Sequence, residues 1–245
     1  MGKKLVRLDE VGSTNDHAKR LVLEQGAGEG TAVVALSQTK GRGRLGRRWI
    51  SPPGGIYLSL VLKPYKDLAK LPIITLLTAL AAVRTIRGLT GLDAKVKWPN
   101  DIIIADRKAG GILCETCKGA VIAGIGINAN VNIGVFPAAL KEQITSLNFE
   151  LGERIDAEKM IGIILEEFEK LYSDFLHHKY EEIISEWSAL CDTLGANVKI
   201  ETGHGDIKGI ARSIGARGEL IVKGPDGKIR KVYTADAVKV VQSGQ

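Results

Sequence analysis

An apolar strand candidate, Thr31 to Leu36, runs into the glycine-spaced cationic stretch Gln38 to Trp49, and Pro52-Pro53-Gly54-Gly55 follows close behind. No other feature of the chain narrows its fold so much. Gly41, Gly43 and Gly46 satisfy the spacing G-x-G-x-x-G. That fingerprint holds a pyrophosphate only where a helix opens directly after it. Two prolines and two glycines cannot open a long helix, so a doubly wound dinucleotide fold is excluded. A P-loop is excluded because no G-K-[ST] stands at the required offset. The kinase glycine loop shares the spacing, but the chain has no H-R-D or D-F-G downstream. What remains is a loop with five cationic side chains: Lys40, Arg42, Arg44, Arg47 and Arg48. Glycine lets a backbone close on a ligand, and arginine brings fixed charge with paired donors. Such a loop beside a strand suits phosphates and carboxylates and points to a nucleotide. A loop that binds RNA or stays solvated is the alternative, and the loop alone does not choose between them.

Composition narrows the class further. The chain has 245 residues, enough for one or two domains with a real core, and a net charge of +6. Five of its positive charges sit in the loop, so part of the excess serves a site rather than a polyanion. Leu5-Val6-Arg7-Leu8 after the N-terminal lysines reads as a strand, not as a signal peptide. The longest apolar stretch, Leu71 to Val83, contains a proline and two threonines and is too short for a bilayer. The expected location is the cytoplasm, with no membrane partner. Three cysteines make no disulfide framework. Cys114 and Cys117 have C-x-x-C spacing, but neither Cys191 nor His204 supplies a second ligand pair for zinc. The reading is a buried strand cysteine beside a more exposed one. His17, His177, His178 and His204 are scattered and receive no catalytic role, and metal ligands stay unassigned.

The spacing predicts a strand at Leu5–Leu8, then a helix from Asp16 to about Gln25 capped by Ser13 or Thr14. Ile56, Leu58, Leu60 and Leu62 alternate on one face of a strand, and Leu71 to Leu89 reads as a buried helix with Pro72 in its first turn. Lys95 to Asp101 is strand then turn, and Ile102–Ala105 resumes a strand. Asp106-Arg107-Lys108 is the predicted tight turn of a hairpin that returns over Gly110–Glu115. Ala120 to Asn130 is a glycine-laced strand, a pattern that marks close approach by a ligand or another backbone. From Asp156 to about Leu190 the period is helical. After Gly195, five short strands with glycine turns predict a small barrel: 198–201, 207–213, 219–223, 229–233 and 238–241.

Any one of these motifs is weak, but their ordered set is specific. Gly12-Ser13-Thr14-Asn15, Gln38 with Gly41 to Trp49, Ser51-Pro52 and Leu58-Ser59 come first. Lys97-Trp98-Pro99-Asn100-Asp101, Arg107 to Leu113 with Glu115, and Gly124-Ile125-Gly126-Ile127-Asn128 follow. Together, over about Asp9 to Asn130, they resemble biotin protein ligase. The resemblance implies an α+β fold: a class II synthetase-like catalytic domain with a mixed sheet and flanking helices over 1–190, and a small SH3-like β-barrel over 191–245. It implies ATP and biotin as substrates, Mg²⁺ bridging the triphosphate, and a biotin carboxyl carrier protein as acceptor. The motifs begin at Ser13, which leads us to expect the form without an N-terminal DNA-binding domain, hence no DNA partner; a homodimer is also expected.

The resemblance carries roles to residues as well. Arg44 and Lys108 match the catalytic cations at the biotin carboxylate and α-phosphate. Ser13, Thr14, Asn15, Gln38, Gly41, Arg42, Lys108 and Gly110 match the biotin site. Arg44, Arg47, Trp49, Lys97, Asn100, Asp101 and Asn128 match the ATP site, with Trp49 against adenine and Asn128 on its exocyclic amine. Lys97 is either catalytic or fixes its loop; Lys108 is preferred because the family's adenylating lysine aligns there. Ala109 stands where a bulkier residue is usual, which would loosen the turn that holds Lys108. Lipoate ligase shares the fold and the acyl-adenylate logic but lacks the arginine-glycine loop, and a basic nucleic-acid-binding module leaves the later motifs unexplained.

Overall fold

A computed structural model describes residues 1–64, 70–203, 205–235 and 237–240. The N-terminal part runs β1 (Lys4–Val11), α1 (Thr14–Gln25), β2 (Thr31–Gln38), β3 (Ile56–Leu62), α2 (Leu71–Thr90), β4 (Lys95–Lys97), β5 (Asp101–Ile104), β6 (Arg107–Cys117) and β7 (Ala120–Ile127). Four helices follow: α3 (Ala138–Lys141), α4 (Leu147–Leu151), α5 (Ala157–Leu176) and α6 (Tyr180–Ala189). The chain ends in β8 (Asn197–Thr202), β9 (Gly205–Ile214), β10 (Leu220–Lys223), β11 (Ile229–Val232) and β12 (Ala237–Val240).

The first seven strands form one mixed sheet in the order β1-β2-β3-β7-β6-β5-β4. Only β1 and β2 pair in parallel, across α1; every other neighbour is antiparallel. Side chains alternate across a strand, and the two faces are covered by different helices. Val33 and Val61 meet Ala18, Leu21 and Val22 of α1. Ala32, Val34, Leu58, Leu60 and Leu62 turn the other way, into a larger core with α2, α5 and α6. α2 extends beyond the apolar run to 20 residues, long and apolar enough to cross a membrane, yet 67% of its 18-residue apolar window is buried inside the fold. It is the central packing helix. Arg84 of α2 ties its two neighbours together, with Nε 2.6 Å from Glu186 of α6 and Nη1 3.2 Å from Glu167 of α5.

Three local expectations change. The helical period over 156–190 is broken into α5 and α6, with His178 between them at a left-handed φ of 61°. The β5–β6 turn lies at Ala105 and Asp106, both at positive φ, so Arg107 and Lys108 already belong to β6. The register then shifts: Ile102 faces Gly110 while Ile103 faces Lys108, which leaves Ala109 as a bulge. Lys108 is not loosened by its small neighbour. Its backbone N–H donates to Gln143 and its carbonyl accepts from Thr145, both at 2.9 Å.

The five C-terminal strands form an antiparallel sheet in the order β11-β10-β9-β8-β12, and among the described residues no pairing of β11 with β12 closes it. His204 and Val241 lie outside the described residues. This sheet is fastened to the first part of the chain. Leu190 and Asp192 flank Val96 of β4, through Val96 N–H to Leu190 O at 3.0 Å and Asp192 N–H to Val96 O at 2.9 Å. Trp98 Nε1 donates to Gly218 O at 3.1 Å. Gly218 needs its missing side chain: φ is +80°, and a Cβ there would lie 3.1 Å from Pro72.

Candidate active site

The sheet opens into a cleft of about 750 Å³ on the α1 face, just beyond the N-terminus of α1. Register puts Gly124, Gly126, Gly111 and Leu113 on that face as its floor, with Ser59 on the same face buried beneath Thr14 and Asn15. The floor glycines exist for close approach. A Cβ on Gly124 would lie 2.3 Å from Asn15 Oδ1, and one on Gly126 would lie 2.8 Å from Trp49 Nε1. The expected approach to the glycine-laced strand is therefore made by the chain's own side chains.

One end of the cleft is built of hydroxyls and amides. Ser13 caps α1, its Oγ 3.4 Å from Asp16 N; Thr14 is not the cap. The Thr14 backbone N–H donates to Gln38 Oε1 at 2.8 Å, and Gln38 Nε2 donates to Ser51 Oγ at 2.9 Å. Ser59 Oγ sits between Thr14 Oγ1 and Asn15 Oδ1, and Asn15 Nδ2 donates to Glu115 Oε2 at 2.8 Å. Ser13, Thr14, Asn15, Ser51 and Ser59 are all buried, so each polar atom needs a partner in the protein or on a ligand. Glu115 also holds Lys19 Nζ at 2.7 Å and Arg42 Nη2 at 3.2 Å, and Arg42 reaches Asp16 as well. Burial pushes the Glu115 carboxyl up, but hydrogen bonds from Lys19 and Asn15 and the charges of Lys19 and Arg42 outweigh it and hold it below its ordinary value.

The cationic loop is a hairpin. Its neck is the Trp49 N–H to Gly41 O bond at 2.9 Å and the Gly43 N–H to Arg47 O bond at 2.7 Å. Leu45 and Gly46 turn at its tip with φ of 56° and 70°. A Cβ on Gly41 would lie 2.5 Å from both Ser51 Oγ and Trp49 O, so the neck closes only on glycine. Arg44 leaves the tip toward the C-terminal sheet, with Nη2 2.8 Å from Thr234 Oγ1.

The other end of the cleft is cationic and aromatic. Lys108 Nζ is 2.6 Å from Asp101 Oδ1 and 5.4 Å from the centre of the Trp49 ring. The Trp49 indole lies over Gly126 and Gly111, and its buried Nε1 has no partner. Asn128 donates to Thr145 O at 3.0 Å, while its buried Oδ1 accepts nothing. Asn100 is turned inward, Nδ2 to Ile112 O at 2.7 Å. Lys97 lines the same wall. Among the described residues no group of three or more His, Cys, Asp or Glu could hold a metal ion.

Of the residues singled out from the sequence, the cleft collects Ser13, Thr14, Asn15, Gln38, Arg42, Arg44, Arg47, Trp49, Lys97, Asn100, Asp101, Lys108 and Asn128. Gly41 and Gly110 do not line it. They lie behind it, Gly41 at the hairpin neck and Gly110 where a Cβ would lie 2.8 Å from Gly126 O. Sequence reasoning missed the lip formed by Phe136, Leu140 and Gln143, and the closing edge at Ala235, Ala237 and Val238. The lip's helical pieces are a 3-10 turn over Ile133–Val135 and the four-residue α3, both too short to show a period.

Comparison with known proteins agrees with this geometry. Residues 9–132 match the model of the Biotin/lipoate A/B protein ligase family, and residues 193–240 match the Biotin protein ligase C terminal domain. A Bifunctional ligase/repressor BirA of Bacillus spizizenii is 41% identical over 242 residues, 96% of this chain and 74% of that protein. A Biotin--[acetyl-CoA-carboxylase] ligase of Paracoccus denitrificans is 29% identical, covering 88% of this chain and 92% of its own. The biotin protein ligase of Aquifex aeolicus, solved with biotin and ATP, superposes with a TM-score of 0.86 at 30% identity over 98% of this chain and 100% of that one. With matches spanning both sheets and a cleft built from the residues its motifs single out, the chain belongs to the biotin protein ligase family.

Proposed function

We infer that the protein activates biotin with ATP to biotinyl-5′-AMP and transfers the biotinyl group to a lysine of a biotin carboxyl carrier protein. The observation that carries this is one continuous cleft that joins a buried hydroxyl–amide subsite to a cationic, aromatic end. A ureido head needs both donors and acceptors, which Ser13, Thr14, Asn15 and Gln38 supply. The valeryl chain would run over the glycine floor toward Lys108. There the carboxylate meets the α-phosphate, two anions whose repulsion is about 1 kcal/mol at 4 Å in water and several-fold larger when partly desolvated. Lys108 and Arg44 offset that repulsion and stabilise charge on the phosphorus and the departing pyrophosphate. A carboxylate oxygen bonds to the α-phosphorus as the bond to pyrophosphate breaks. The acceptor amine then attacks the biotinyl carbonyl carbon, loses a proton, and AMP leaves with the bridging oxygen.

The unpartnered Asn128 Oδ1 fits the exocyclic amine of adenine, and the Trp49 ring on its glycine bed supplies an apolar face. Lys97, Asn100, Asp101 and Arg47 fall to the nucleotide in this reading and Arg42 to biotin, while Gly41 and Gly110 let the hairpin neck and the cleft floor close behind the ligand. Asp101 keeps Lys108 placed until substrate arrives. The reading divides the chain into a ligase domain over 1–190 and a C-terminal domain over 191–245. It goes with a cytoplasmic location, where ATP is supplied, and with a homodimer paired through the open edge strand β1.

The test is ATP–pyrophosphate exchange with biotin or with lipoate. Biotin-dependent exchange that falls at least about 100-fold in Lys108→Ala is expected, the scale for losing one transition-state charge partner. Exchange with lipoate alone would move the protein to that ligase, and exchange with neither would leave a binding module.

A further inference from the structure

Two hydroxyl protons serve three contacts in the head subsite, and that count decides which way the subsite faces. Ser59 Oγ is 2.6 Å from Asn15 Oδ1 and 2.8 Å from Thr14 Oγ1, and Thr14 Oγ1 is 3.1 Å from Gln38 Oε1. Hydroxyl hydrogens rotate to suit their neighbours, so the fixed groups at either end place them. At one end the Glu115 carboxylate and the Leu113 carbonyl, which only accept, face the Asn15 amide at 2.8 and 3.1 Å. Nδ2 must point at them. Oδ1 is thereby turned onto Ser59, and the Ser59 proton goes to it. At the other end Ser51 Oγ donates to Trp49 O at 3.1 Å and so accepts from Gln38 Nε2. Gln38 Oε1 then faces Thr14, where the backbone N–H already donates to it. Thr14 has one proton, for Ser59 at the shorter distance or Gln38 at the longer. Two oxygens with no proton between them repel more at 2.8 Å than at 3.1 Å, so Ser59 receives it. Thr14 Oγ1 and Gln38 Oε1 are left side by side as acceptors on the cleft wall, with no proton between them.

We propose that Glu115, acting through Asn15 and Ser59, is a positioning residue for ligand specificity: it commits this subsite to a head group that brings an N–H donor, as a cyclic urea does and a dithiolane ring does not. The proposal rests on the ligase reading above and names what selects its substrate. Glu115→Gln reverses the relay. Lys19 keeps the new amide's oxygen and Arg42 falls back on Asp16, so the NH₂ faces Asn15; Asn15 turns Oδ1 toward it at the expense of its longer contact with the Leu113 carbonyl, and the protons shift until Thr14 donates to Gln38. Ser59→Ala cuts the relay with the same result at Thr14.

The experiment is pyrophosphate exchange at varied biotin and varied ATP, with thermal unfolding of each variant as the control for folding. Both variants are expected to raise KM for biotin about 10- to 100-fold, the cost of a misfaced buried hydrogen bond, while KM for ATP and kcat at saturating biotin move less than about twofold. Adding Asn15→Asp to Glu115→Gln gives position 15 a carboxylate that accepts from the new amide and from Ser59, with the Leu113 contact forgone, and part of the lost biotin affinity is expected to return. An unchanged biotin KM in either folded variant overturns the proposal. So does an equal rise in both KM values, which would mark a structural role, or a failure of the double variant to recover. An absence of biotin-dependent exchange in the unsubstituted protein would defeat the ligase reading first, and the proposal with it.

Discussion

At the scale of single residues, the cleft is governed by what is missing from its floor. Gly124 and Gly126 let Asn15 and Trp49 lie flat on β7, at distances a methyl group would occupy. Gly126→Ala is expected to lift the indole and cost its apolar contact with the base, raising KM for ATP about tenfold while KM for biotin holds, since an aromatic pair is worth about 1 kcal/mol. Steady-state kinetics with each substrate varied would check this, and an unchanged ATP KM would show that the indole is not the base's partner. These two glycines were legible in the sequence because glycine in a strand has few other uses. Ser51 and Glu115 were legible only as parts of a resemblance. Their work is to orient Gln38 and Asn15, and a residue that acts through a neighbour leaves no spacing of its own.

Elements repeat the contrast between patterned and unpatterned chain. The strands and long helices follow from alternation and period, and of the two caps the sequence offered for α1, Ser13 and Thr14, Ser13 is the one. The α5–α6 break was not legible, because the apolar stripe continues in phase across it and no glycine or proline marks the point where His178 takes the left-handed conformation. The turn before Lys108 was placed late for a related reason: Ala105, not a glycine or asparagine, holds positive φ. Asp156 caps α5 by accepting from Lys159 N at 3.0 Å, on the face of the sheet away from the cleft. Asp156→Ala is therefore expected to cost about 1 kcal/mol of stability and leave both substrate KM values alone. Denaturant melts with matched kinetics would separate the two effects, and a changed biotin KM would mean that α5 speaks to the cleft through the sheet.

The whole molecule brings its C-terminal sheet to the cleft at two places, the Trp98–Gly218 bond behind it and the Arg44–Thr234 bond at its mouth. The second joins the tip of the cationic hairpin to the far end of the chain. None of this was legible in the sequence, where the C-terminal strands show only their own alternation. Thr234→Val removes a hydroxyl partner of Arg44 and is expected to speed release of biotinyl-5′-AMP about two- to tenfold, the usual worth of one hydrogen bond. Arg44→Gly should speed it more. Stopped-flow dissociation would decide, and an unchanged rate in Thr234→Val would make the contact incidental to retention. The C-x-x-C spacing has a consequence at this scale too. Cys114 and Cys117 are three apart on β6, so they project to opposite faces; Cys114 belongs with the core under α2 and Cys117 with the core under α1. They cannot bridge or chelate together. Both thiols are half-buried rather than one buried and one exposed, and burial pushes the Cys114 thiol up to about 11, which slows its alkylation while its layer is shut. A single strand thus carries one native chemical reporter beneath each helical layer, and the order in which the two thiols become alkylated under mild denaturant tells which side of the sheet lets go first.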